Sequence, residues 1–147
     1  MITILIVDDH APFLRSLHYM LESTEDLQVV ATASNGMEAI SKAQTLCPNV
    51  AVVDISMPVM DGIETTRQIT ETCRFTRVMM LSIFDHSEYV QRALEVGAAG
   101  FVLKDTIDSD LLAAIRALAV GKHYFSRPIA AIAEQYFQRK SDDSWAA

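Results

Sequence analysis

The chain has 147 residues, half of them apolar and 21% charged, with a formal net charge of −7. That length suits one domain with a substantial core, and the negative charge argues against generic binding to a nucleic-acid backbone, which rests on clustered Lys and Arg. No apolar run approaches the length of a membrane span and the N-terminus carries no signal-peptide pattern, so a soluble cytoplasmic protein is expected.

Ile2–Val7 reads as an apolar strand that ends in Asp8-Asp9-His10. A helix follows, with Pro12 tolerated in its first turn and Phe13, Leu14, Leu17, Met20 and Leu21 forming a stripe at helical spacing. Leu27–Ala33 is a second strand, Ser34-Asn35-Gly36 a turn, and Met37–Leu46 a short helix stopped by Pro48. Val50-Ala51-Val52-Val53 then runs directly into Asp54, as suits a parallel strand buried on both faces. Met57-Pro58 and Asp61-Gly62 stiffen and break the loop beyond it, and a helix is expected from about Asp61 to Thr72.

A fourth strand, Val78–Leu81, ends in Ser82, with Ile83–Ser87 as a loop and Glu88–Val96 as a helix. The fifth strand, Gly100–Leu103, ends in Lys104. Asp105, Thr106 and Asp108 supply cap residues for an amphipathic helix carrying Ile107, Leu111, Leu112, Ile115, Leu118 and Ala119, which Gly121 stops. Ile129, Ile132, Ala133, Tyr136 and Phe137 predict one more short helix, with Gln138–Ala147 frayed and Trp145 exposed. Cys47 and Cys73 form no CxxC motif and are expected as two buried or half-buried thiols of a reducing compartment. Five alternations of strand and helix favour an α/β fold with a doubly wound parallel sheet.

Four strands thus finish in Asp8-Asp9, Asp54, Ser82 and Lys104. Open α/β sheets place their chemistry at the carboxyl ends of the strands. Acids bunched at that edge repel one another unless a cation joins them, and Mg²⁺ suits such oxygen ligands. A hydroxyl and an ammonium opposite the acids would bind the oxygens of an incoming anion. Plainer readings stand beside this one: Asp8, Asp9 or Asp54 as helix caps, Lys104 as a solvated strand end, Phe101 as ordinary core. His10, His18, His86 and His123 show no metal-site spacing.

These positions, with the run Ala93–Asp105, resemble the receiver domain of bacterial two-component response regulators, in its NarL/FixJ (LuxR-type) branch. The resemblance covers roughly residues 2–121. It implies a flavodoxin-like five-stranded fold over residues 1–121 and a C-terminal helix with a linker-like tail over 122–147. It further implies that Asp54 accepts a phosphoryl group from a sensor histidine kinase or phosphotransfer protein. Asp9, Asp54 and the Ser56 carbonyl would be direct Mg²⁺ ligands, with Asp8 acting through water. Lys104 and Ser82 would hold phosphoryl oxygens, and Phe101 would be the aromatic that follows Ser82 inward. Ser82 stands where the family often has Thr, and Ile83 where many members have a small residue, so that a branched side chain narrows access to the phosphoryl group.

The α4–β5–α5 face of the family commonly changes shape and supports dimers, and its members regulate transcription. The helix-turn-helix that usually follows in this branch is not seen here, so a stand-alone receiver and a segment of a larger regulator both remain open. Nucleic acid and membrane are not expected as direct partners. A metal-dependent phosphohydrolase is the rival enzyme reading. Ser56 stands where such enzymes of haloacid-dehalogenase type carry their acid/base Asp, which argues against it. No GxGxxG or P-loop supports a nucleotide-binding module.

Overall fold

The computed structural model describes the backbone of residues 1–146 and the side chains through residue 142. Strands β1 (Ile2–Val7), β2 (Leu27–Ala33), β3 (Val50–Asp54), β4 (Arg77–Ser82), β5 (Gly100–Leu103) and β6 (Tyr124–Phe125) form one sheet in the order β2-β1-β3-β4-β5-β6. Every pairing is parallel. The helices are α1 (Ala11–Glu22), α2 (Gly36–Leu46), α3 (Gly62–Thr72), α4 (Ser87–Glu95), α5 (Ile107–Ala119) and α6 (Arg127–Ala146).

Period-2 alternation within the strands decides which helix each residue meets. Ile4, Ile6, Val50, Val52, Met79 and Leu81 share a buried cluster with Leu17 and Leu21 of α1 and Leu111, Ile115 and Leu118 of α5. Their neighbours Leu5, Val7, Ala51, Val53, Val78 and Met80 share the other with α2, α3, α4 and α6. Both faces are covered, which is why the strands read as unbroken apolar runs rather than alternating ones. No helix among the described residues is long and apolar enough to cross a membrane.

Three expectations need correction here. The sheet has a sixth strand: Tyr124 pairs with Gly100 and Phe125 with Phe101. Two residues carry no periodicity to read, and the close approach depends on Gly100, where a Cβ would stand 2.9 Å from the Tyr124 carbonyl oxygen. The tail expected to fray from Gln138 is helical through Ala146; its Gln, Arg and Lys residues are sound helix formers even where none is buried, and the side chain of Trp145 lies outside the described residues. Cys73 is buried as expected, whereas Cys47 is exposed at the C-cap of α2. Its φ of 45° turns the chain out of the helix in the left-handed conformation.

The loop from β3 to α3 is held tightly. Met60 N–H donates to the Pro58 carbonyl at 2.8 Å, closing a three-residue turn around Val59, whose φ is 69°. A β-branched residue there is strained. Gly62 N–H donates to the Ile55 carbonyl at 2.9 Å, and Asp61 caps α3 by accepting from Glu64 N–H at 2.9 Å. A Cβ on Gly62 would lie 2.1 Å from the Asp54 carbonyl oxygen.

Helix propensity alone favours Gly62→Ala by about 1 kcal/mol. The contact is with backbone that cannot swing aside, so a net destabilisation of roughly 1–3 kcal/mol is expected. The midpoint of urea unfolding checks it; an unchanged or raised midpoint would show that the loop yields freely.

Candidate functional site

Strand order places β1 and β3 side by side, with Val7 opposite Val53. The residues that follow, Asp8 and Asp54, therefore leave the sheet together at the point where the strand order reverses. Ligand oxygens of Asp8, Asp9 and Asp54 all lie within 4.8 Å of one another. Asp8 is fully buried, Asp54 nearly so, and Asp9 exposed.

Lys104, at the end of β5, reaches across to this cluster. Its Nζ donates to Asp8 Oδ2 at 3.1 Å and lies 3.3 Å from Asp54 Oδ1. The ammonium also sits 4.3 Å from the centroid of the Phe13 ring, a cation–π contact. The sequence pattern places Phe13 only in the core stripe of α1; its contact with Lys104 is not visible in that pattern. Asp8 is occupied on both oxygens, since Oδ1 accepts from His10 N–H at 2.9 Å. Asp9 makes no comparable contact among the described residues and, being exposed, is the carboxylate most open to a ligand.

The Asp54 carboxyl is pushed up to about 6 from its ordinary 3.8. Burial is the main cause and the charge of Asp8 the next; Lys104 and the Ser56 N–H pull in the opposite direction. One ammonium does not neutralise three carboxylates, and the site carries excess negative charge. Hard oxygen ligands, a negative excess and one exposed member form a donor set that fits Mg²⁺.

The remaining candidates are less tightly joined. Ser82 is buried and follows Leu81, which pairs with Asp54 in the sheet. Its Oγ accepts from Phe84 N–H at 2.9 Å, which fixes the start of the β4–α4 loop, and no hydrogen bond links it to the carboxylates among the described residues. Ile83 is 61% exposed and points away from the core. Phe101 is wholly buried with Val90, Ala93 and Leu94 of α4 and Ile129 and Ala133 of α6. The expected capping of α5 is replaced by another arrangement: Thr106 has no side-chain cap bond to the helix, and its hydroxyl donates to Asp110 Oδ2 at 2.7 Å.

Residues 4–116 match the response regulator receiver domain family. The chain belongs to that family. Among curated relatives, this receiver is 40% identical over 121 residues to the transcriptional regulatory protein LnrK of Bacillus subtilis, covering 82% of the chain and 55% of the relative. It is 35% identical over 127 residues to the nitrate/nitrite response regulator protein NarL of Escherichia coli, covering 86% and 59%. The chain thus spans little more than half the length of these relatives.

Among solved structures, a LuxR-family two-component response regulator from Aurantimonas sp. SI85-9A1 matches with a TM-score of 0.85 and 31% identity, over 90% of this chain and 96% of the other. The isolated REC domain of RcsB from Salmonella enterica serovar Typhimurium, solved with the phosphomimetic BeF3-, matches with a TM-score of 0.80 and 25% identity, over 89% and 97%. The fold is therefore the flavodoxin-like receiver fold, extended by β6 and α6.

Because the folded-state pKa of Asp54 is raised, its ionisation opposes folding. That penalty is absent below the unfolded-state pKa, grows as pH rises toward about 6 and is constant above. Asp54→Asn is accordingly expected to raise stability by roughly 1–3 kcal/mol in neutral metal-free buffer and to leave it unchanged in strongly acidic buffer. Denaturant titrations at the two pH values check this; a loss of stability at neutral pH would show that Lys104 needs both buried carboxylates.

Proposed function

We propose that this receiver is a phosphorylation-controlled switch in which Asp54 takes a phosphoryl group from a phosphohistidine of a sensor kinase or phosphotransfer protein. The observation that carries the reading is Asp54 at the lip of β3, in ionic contact with Lys104 and grouped with Asp8 and Asp9. In the reaction an Asp54 carboxylate oxygen attacks phosphorus in line. The bond from phosphorus to the donor nitrogen breaks, the imidazole keeps the electron pair, and an acyl phosphate forms. Asp9, Asp54 and the Ser56 carbonyl oxygen would hold Mg²⁺, with Asp8 acting through water, and the ion would supply charge compensation between carboxylate and phosphoryl group.

Lys104 holds one phosphoryl oxygen and Ser82 another. A phosphoryl group brings about −1.5 to −2 charges, which draws the ammonium of Lys104 from Asp8 toward the new oxygens. Ser82 exchanges its bond with Phe84 N–H for one to phosphate, and Phe101, packed beneath α4, follows it inward. The receiver unit is residues 1–121, with 122–147 as a C-terminal segment. The domain performs self-catalysed phosphoryl acceptance and loss, without turnover of outside substrates. Its output is altered self-association or partner binding through the region of α4, β5 and α5, where β6 lies along β5 and α6 lies over α4. It serves transcription regulation, as the names of the relatives suggest, without this acidic segment itself contacting DNA.

Intact-mass measurement after acetyl phosphate and Mg²⁺ is expected to add one phosphoryl mass to the wild type and none to Asp54→Ala; equal labelling of the variant would refute the assignment. In Mg²⁺ titrations Asp9→Ala is expected to weaken affinity more than Asp8→Ala, and the reverse order would exchange their roles. Sedimentation velocity with and without beryllofluoride tests the output, with Ser82→Ala as the uncoupled control. A shift toward dimer is expected, and an unchanged profile would remove self-association.

A further inference from the structure

We propose that Ser126 and Asp110 are positioning residues that tie the start of α6 to the residue before Lys104, so that α6 reads out the state of the phosphoryl site. The inference rests on the function proposed above for Asp54 and Lys104.

Ser126 stands immediately before α6, and its carbonyl accepts from Ile129 N–H at 2.8 Å and Ala130 N–H at 3.0 Å. A serine in that position ordinarily turns its hydroxyl back to cap a free amide of its own helix. Here the hydroxyl, on a residue 1% exposed, is directed elsewhere. It accepts from Leu103 N–H at 2.9 Å and donates to Asp110 Oδ2 at 2.8 Å. Leu103 N–H belongs to the last residue of β5, and β6 ends at Phe125, two positions short of the register partner of Leu103. The side chain of Ser126 takes the place of the missing ladder bond, and the next residue along β5 is Lys104.

Asp110, in the first turn of α5, gathers the surrounding hydroxyls. Its Oδ2 accepts from Thr106 Oγ1 at 2.7 Å as well as from Ser126, and its Oδ1 accepts from the Tyr124 hydroxyl at 2.7 Å. One carboxylate therefore joins the turn after Lys104, strand β6 and the start of α6. Burial raises the Asp110 pKa, but the bonds from Thr106, Tyr124 and Ser126 outweigh it and hold the carboxyl below its ordinary value.

The helix that begins at this clamp lies over α4, with Ile129 and Ala133 buried in the same cluster as Phe101, Val90, Ala93 and Leu94. So α6 is fixed at its start to the strand that carries Lys104, and along its face to the helix that follows Ser82. These are the two elements whose residues would grip the phosphoryl oxygens. A small displacement of either one has to be absorbed by the Ser126 bonds or by the seat of Ile129 and Ala133, because packed interiors rearrange in discrete steps.

The experiment is hydrogen–deuterium exchange on the whole chain, with and without beryllofluoride and Mg²⁺, for wild type, Ser126→Ala, Ser126→Thr and Asp110→Asn. Fluorine NMR of the bound beryllofluoride is recorded on the same samples. In wild type the amides from Ile129 to Lys140 are expected to change their exchange rate by roughly fivefold on loading, the ratio that one net hydrogen bond represents. In Ser126→Ala and Asp110→Asn that change is expected to be lost while the fluorine signal persists; Ser126→Thr, which keeps the hydroxyl, is expected to retain it. An α6 response of full size in both disabled variants would overturn the proposal, as would a silent α6 in loaded wild type. Absence of the fluorine signal from wild type would instead overturn the phosphoacceptor reading, and this one with it. Should Ser126→Ala fail to fold, Asp110→Asn carries the test alone.

Discussion

A single ammonium stands between two buried carboxylates, and much of this receiver is arranged around that shortage of positive charge. Lys104 shares its Nζ between Asp8 and Asp54, with a third acid nearby. In a dry interior this imbalance is costly, which explains why the Asp54 carboxyl resists ionisation. The tension has a direction. A cation brought into the cluster would relieve it, and an anion built on Asp54 would reassign the ammonium. The resting site is thus unsatisfied in a way that its proposed chemistry would satisfy.

The rest of the fold keeps those groups from relaxing apart. Asp54 is carried by a strand with neighbours on both sides, and the loop beyond it is pinned by the approach of Gly62 to its carbonyl. The turn at Val59 holds a conformation that its side chain resists, at a cost on the order of 1–2 kcal/mol. Asp8 cannot swing toward solvent without giving up its bond from the His10 amide. Lys104 is backed by the Phe13 ring, which limits where a long, flexible side chain can go. Preorganisation of this kind leaves few rearrangements available.

How far the sequence could be read depended on the kind of signal each residue leaves. Asp54 and Lys104 end unbroken apolar runs, and a charge at the end of such a run stands out; the parallel order of the strands then makes their meeting a matter of geometry. The roles proposed for them rest mainly on the resemblance. Asp110 left no mark, because an acid in the first turn of a helix is expected from the helix dipole alone. Ser126 looks like an ordinary cap, and only the folded chain shows that its hydroxyl serves another strand. β6 is too short for periodicity, and the length of α6 is hard to read because Gln138–Asp142 are all exposed. Phe13 fits its stripe equally well whether or not a lysine lies over it.

The short strand β6 has one more consequence. Were the chain to end at Gly121, β5 would become the edge of the sheet. Its unpaired amides and carbonyls would lie beside Gly100, which has no side chain to guard them, and Phe101 would lose the cover of Ile129 and Ala133. An open, apolar edge of that kind invites pairing with another copy of the same strand. Strand β6 and the first turns of α6 therefore act as a selvedge along this side of β5.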